Sequence, residues 1–207
     1  MIDDVLAFWF GEPATTTEEY GRKIRRWYMG GPALDAEIRD RFGALVERAL
    51  AGELADWTQT TRGRLALILL LDQFTRAMYR NDPKTYAGDA RAQALAVEAF
   101  DRGIDRELSV EERQFLIMPL THAENLALQE RSAATMAALN ADAANFQKGP
   151  LSMGLEQTRK YRDLIARFGR FPHRNKVLGR TNTPEEDAFL VDWEAKMRPS
   201  GADKLPS

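Results

Sequence analysis

The segment that most restricts how this chain can fold is Leu65-Ala66-Leu67-Ile68-Leu69-Leu70-Leu71, seven apolar residues in succession. It sits inside a proline-free stretch from Thr61 to Arg80, which predicts one long helix. A helix that is apolar around its whole circumference has to lie in the middle of a fold, because it has no face to give to water. Crossing a membrane takes roughly 20 apolar residues, so this run is a core element and not a span. Immediately after Leu71 the composition changes to Asp72, Gln73, Arg76, Tyr79 and Arg80. Asp72, Arg76 and Arg80 are spaced i, i+4, i+8, which predicts a polar stripe continuing the buried face of the same helix.

The rest of the chain carries helix punctuation from end to end and lacks the alternating pattern and Asn-Gly or Asp-Gly turns of hairpins. Helices are expected over about Asp3 to Phe10, Thr16 to Met29, Pro32 to Leu50, Asp89 to Arg102, Ser109 to Pro119, Glu124 to Leu139, Met153 to Phe168 and Thr183 to Met197. Thr16 with Glu19, Ser109 with Glu112, and Thr183 with Glu186 have capping-box spacing. Pro119 is expected to end or kink its helix. Asn140 to Pro150, with Gly149-Pro150, reads as a loop. The expectation is an all-α fold of about nine helices, one domain over residues 1–198, and a frayed tail over 199–207.

Composition narrows the chemistry. Of the 207 residues none is cysteine and two are histidine, which removes thiolate nucleophiles, redox pairs and Cys-ligated metals. There is no HExxH, P-loop, GxGxxG or GxSxG motif, so neither a metal nor a nucleotide cofactor is expected. Acids at Asp3 and Asp4 stand where a secretory signal carries cations, which predicts a cytoplasmic protein with no membrane partner. Trp9, Trp27, Trp57 and Trp193 are expected to fill the core. The formal charge of −2 argues against a surface built for nucleic acid.

Three segments carry the candidate site. The first is the Asp72 stripe, which has a structural reading as a buried ion pair as well as a functional one. The second is His122-Ala123-Glu124-Asn125 with Gln129; His122 beside Glu124 is an acid–base candidate, and the imidazole is equally placed to cap the carbonyl that Pro119 leaves free. The third is Arg167 to Asn175, where Arg170, His173, Arg174 and Asn175 surround Phe168, Phe171 and Pro172. Between Arg159 and Arg180 there are eight basic residues and one acid, a local charge of +7 against −9 for the remainder. Arginine forks suit carboxylate or phosphate, and the acids Glu185 and Glu186 that follow suit internal neutralisation.

These stretches, together with VLAFWFG at Val5 to Gly11, resemble a bacterial family of proteins of unknown function. The matching runs are LDQFTRAMYR at Leu71 to Arg80, FLIMPLTHAENLALQERS at Phe115 to Ser132, and RFGRFPHRNKVLGR at Arg167 to Arg180. The resemblance implies a TPR-like superhelix of antiparallel helix pairs and brings no established activity. Thr75 and Ala77 depart from the family's Pro and Asn, and Ala123 and Asn125 replace Ser and Asp, so a mechanism needing a second carboxylate after Glu124 is not available. Two functions follow as expectations. One is a pocket for a small anion, bound by Asp72, Gln73, Arg76, Tyr79, Arg80, Gln129, Arg170, Arg174 and Asn175, with His122, Glu124 and His173 as acid–base groups. The other is a helical module that holds an acidic peptide on the Arg159 to Arg180 patch.

Overall fold

The computed structural model describes residues 1–197, and every regular element in them is helical. The helices are α1 (Ile2–Phe10), α2 (Thr17–Met29), α3 (Gly31–Leu50), α4 (Thr61–Ile68), α5 (Thr75–Met78), α6 (Asp89–Asp101), α7 (Val110–Thr121), α8 (Leu126–Asp142), α9 (Asn145–Phe168) and α10 (Pro184–Met197). A π-helical segment, Leu69–Phe74, joins α4 to α5 into a single rod. Counting that rod once, the described residues form nine helices, as the punctuation predicts. The expected tail over 199–207 lies outside the described residues.

The rod is the axis of the molecule. Residues Leu65 to Leu70 are wholly buried, because α1, α3, α6 and α7 all pack on the rod. Around its lower end the aromatic side chains of Phe8, Trp9, Phe42, Phe74 and Phe115 meet at centroid distances of 4.9 to 6.0 Å. Trp27 joins them through Phe115 and donates its indole N–H to the carbonyl of Trp9 at 2.8 Å. Trp193 departs from the expected core role: it is half-buried and stacks on His173.

All three capping boxes form, at Thr16, Ser109 and Thr183. Pro119, expected to end or kink α7, does not end it: the helix continues to Thr121, and so near the helix end the proline forfeits only one hydrogen bond. One expectation fails. The expected loop over Asn140 to Pro150 is helix apart from Ala143 and Ala144. Leu139, Ala143, Leu151 and Leu155 converge there with Ile117 and Met136 in a second, smaller core. That burial outweighs the weak local propensity of Gly149 and Pro150, as tertiary packing commonly does.

The π segment has an identifiable support. Its widened turn leaves carbonyls without ordinary helical donors, and the Thr75 hydroxyl donates to the carbonyls of Leu71 (2.9 Å) and Asp72 (3.2 Å). Arg76 adds a bond to the Asp72 carbonyl at 2.6 Å. From the other side Gly88 lies so close that a Cβ there would fall 2.3 Å from the Leu71 oxygen. Only glycine permits this approach, and the approach carries Asp89, the first residue of α6, up to the rod. Gly88→Ala is therefore expected to destabilise the protein by about 1–3 kcal/mol, the usual cost of an overpacked contact. Urea unfolding would register this as a lowered midpoint, and an unchanged midpoint would contradict the account.

Candidate functional site

The wide turn settles where the polar stripe goes. Asp72 is fully buried, and its carboxylate meets three donors: His122 Nδ1 at 2.7 Å, Arg76 at 3.1 Å, and Gln73 Nε2 at 2.6 Å. Burial opposes charge on Asp72, but Arg76, His122 and Gln73 outweigh it and hold the carboxyl below the usual carboxylate range. Arg76 reaches past Asp72 to form a bidentate pair with Asp89, at 2.9 and 3.0 Å. Arg80 leaves the stripe, because the rod ends at Met78, and pairs with Asp35 on α3.

His122 follows α7, and its side chain turns to Asp72 and not to the carbonyl that Pro119 leaves free. Its Nδ1 is fixed on Asp72, which selects the Nδ1–H tautomer and leaves the Nε2 lone pair as the free one. Burial and the neighbouring Arg76 cation lower its pKa, so the imidazole is neutral at pH 7. Asp72, Gln73 and His122 thus form a base with its orienting carboxylate behind it.

Arg174 comes from the turn Pro172–Arg174, which the Phe171 side chain, wholly buried, anchors. Its guanidinium carbon lies 4.6 Å from the ring centre of Tyr86 and 4.4 Å from that of Phe171, and the residue is 7% exposed. Of its five N–H donors one has a hydrogen-bond acceptor among the described residues, the carbonyl of His122 at 3.1 Å. The nearest carboxylate oxygen, on Asp89, is 3.7 Å away. Burial, with the Arg76 charge, lowers its pKa.

His173 stacks flat on Trp193, with ring centroids 4.9 Å apart and planes 5° from parallel. Its Nδ1 is buried without a partner among the described residues. Burial, then the Arg174 charge, pushes its pKa down to about 4.

These groups share one cavity of about 390 Å³, into which Arg76, Arg80, His122, His173 and Arg174 all project. So the three segments singled out in the sequence do meet. Tyr86, Tyr161 and Val177 supply an apolar side, and Asn81, at φ 62°, and Thr85 close the rim. Asp89, Tyr86 and Tyr161 are the principal additions to the sequence-based set. Another hollow, about 440 Å³ beside α1 and α3, holds Arg41 and Arg48 but no histidine. Among the described residues no group of three or more His, Asp or Glu side chains is placed to hold a metal ion, and no helix is long and apolar enough to cross a membrane.

The remaining sequence-based candidates serve the frame around the cavity. Glu124 accepts from Arg180 at 2.7 and 2.9 Å and from the Phe171 N–H at 2.8 Å, which ties down the loop carrying His173 and Arg174. Arg170 grips Glu186 and the Thr181 carbonyl, and Asn175, buried, joins Asn182 and Glu186. Gln129 is buried and donates to the carbonyls of Thr121 and Ala123, closing the corner between α7 and α8. Tyr79 bonds Glu47 on the surface. Of the basic patch, Arg162 pairs with Asp163, which the +7 already includes, and Arg167, Arg170 and Arg180 pair with Glu185, Glu186 and Glu124, three acids that lower it from +7 to +4.

The described residues thus form an all-α fold with a buried Asp–His pair and an under-bonded arginine beside one cavity. The chain belongs to the family described as bacterial protein of unknown function (DUF924), whose sequence pattern matches residues 5–193. A solved structure of a protein of unknown function from Agrobacterium tumefaciens is 34% identical, with a TM-score of 0.75 over 92% of this chain and 97% of that one. No curated protein shows a significant match.

The low pKa of His173 makes a pH prediction. Between pH 6.5 and about 4 the unfolded chain protonates this imidazole and the folded chain does not, so folding stability falls as pH drops through that window. The contribution is on the order of 3 kcal/mol, with His122 acting in the same direction. Denaturant unfolding at pH 7 and pH 4.5 is expected to show a smaller loss for His173→Phe than for the wild type.

Proposed function

We propose that the cavity binds a small anion on Arg174, with His122 as the acid–base group beside it. The observation that carries this reading is the state of Arg174. A guanidinium that is largely desolvated, packed against two aromatic rings and left with unused donors among the described residues is arranged for an acceptor that arrives from outside. His122 stands next to it with an unprotonated Nε2, oriented by an ionised carboxylate, which is the geometry of a general base. Arg76 fixes both carboxylates, Asp72 and Asp89, and so holds the base and the anion site in register. Pairing of Arg167, Arg170 and Arg180 with Glu185, Glu186 and Glu124, and the burial of Arg174, leave fewer free cations on the patch for an acidic peptide.

The test is a thermal-shift series with acetate, benzoate, inorganic phosphate and a sugar phosphate on the wild type, Arg174→Met and His122→Gln. A ligand present at about 100 times its dissociation constant stabilises by roughly 2.7 kcal/mol, which for a domain of this length raises Tm by about 5–10 °C. Arg174→Met is expected to abolish the shift, whereas His122→Gln keeps most of it. A flat response in the wild type, or a shift that survives in Arg174→Met, overturns the reading.

A further inference from the structure

The two histidines of the chain meet the same cavity in opposite hydrogen-bonding states, and this narrows the ligand class; the step rests on the anion reading above. His122 has its proton on Nδ1, drawn there by Asp72 at 2.7 Å, and offers a lone pair at Nε2. His173 is the reverse case. Among the described residues its Nδ1 is buried without a partner, and an unpaired buried N–H is the costlier kind of orphan, so the single proton of the neutral ring belongs on Nε2. The flat stack on Trp193 and the tilted contact with Phe171, at 5.3 Å, hold the ring in this orientation.

The charges near Arg174 add a second restriction. Asp72 and Asp89 balance Arg76 and Arg174, and Arg80 is matched by Asp35. The site therefore offers donors without surplus positive charge, which suits a monoanionic carboxylate on the guanidinium fork better than a phosphate dianion. Tyr161, Phe171 and Val177 line the other side of a cavity large enough for one small ligand.

We propose that the ligand is a carboxylic acid carrying a carbonyl or hydroxyl oxygen on the carbon next to the carboxylate and an apolar body beyond it, and that His173 recognises that oxygen as a neutral Nε2–H donor. The carboxylate seats on Arg174, the C2 oxygen accepts from His173, and the apolar body lies along Tyr161 and Val177. His122 then faces the functionalised end with its lone pair. His173 is the specificity-determining residue, separating 2-oxygenated acids from plain ones.

Three acids that differ only at C2 test this: 3-phenylpropionate, 3-phenyllactate and phenylpyruvate, titrated by calorimetry into the wild type and His173→Phe, a variant that preserves the ring stack. In the wild type at least one C2 oxygen is expected to raise affinity about tenfold over 3-phenylpropionate. In His173→Phe that gain disappears, so that the three acids bind with the same affinity as one another. Long-range ¹H–¹⁵N correlation at pH 7, assigned with the same variant, is expected to show one Nδ1–H ring (His122) and one Nε2–H ring (His173). A His173 proton on Nδ1, a gain that persists in the variant, or equal binding of all three acids by the wild type overturns the proposal and leaves the anion site standing. Binding of benzoate or phosphate with none of the three acids overturns the ligand class; silence from every anion overturns the anion reading itself.

Discussion

The carboxylate of Asp72 is the point on which the site depends. A fully buried carboxylate is tolerated only if its charge and lone pairs are met, and here they are met by groups from three places in the chain: Arg76 one turn on, Gln73 beside it, and His122 from the far end of α7. Meeting that need orients the imidazole, draws Arg76 inward and leaves its fork pointing at Asp89. Removing Asp72 would leave Arg76 with Asp89 as its one carboxylate partner and a histidine without a fixed tautomer. The polar cluster and the apolar rod are therefore one construction: the rod supplies the burial that makes the cluster's geometry strict.

The opposite wall is built differently. The loop bearing His173 and Arg174 has little regular structure and is held by charge: Glu124 grips Arg180 and the Phe171 amide, and Glu186 grips Arg170 and Asn175. Aromatic faces do the rest, with Arg174 against Tyr86 and Phe171 and His173 on Trp193. A lysine in place of Arg174 would keep the charge and lose the guanidinium contact with both rings, so that exchange is not conservative.

Helix number and most boundaries were legible because caps are local: Thr16 with Glu19, Ser109 with Glu112, and Thr183 with Glu186 each act within three residues. The start of α9 was not, since Leu151 and Leu155 are buried by partners on α7 and α8 that no local pattern announces. The three polar segments of the site could be found because ionisable residues next to an apolar run, or around Phe-Pro, break the local composition. Their roles could not be divided in advance. Glu124 and Arg170 have the residue types of a catalytic and an anion-binding group, but their partners, Arg180 and Glu186, lie 56 and 16 positions away. Asp89 and Tyr86 were hidden for the converse reason: one reads as an ordinary acid in a helix's first turn and the other sits in a short turn without periodicity.

The π segment has a consequence for how this rod tolerates change in length. A stretch of i→i+5 bonds accommodates an extra residue within a helix, so Leu69–Phe74 holds one more residue than a regular α-helical path between the same ends would need. Each residue of an α-helix turns the chain by about 100°. Loss of a single residue from this segment would let the rod close into an uninterrupted α-helix between the same ends, so Arg76 would keep its bearing relative to the apolar residues before it, and what would change is the bearing of the residues inside the segment, Asp72 among them. In this fold, one residue of chain length decides where the buried carboxylate points while leaving both halves of the rod in phase.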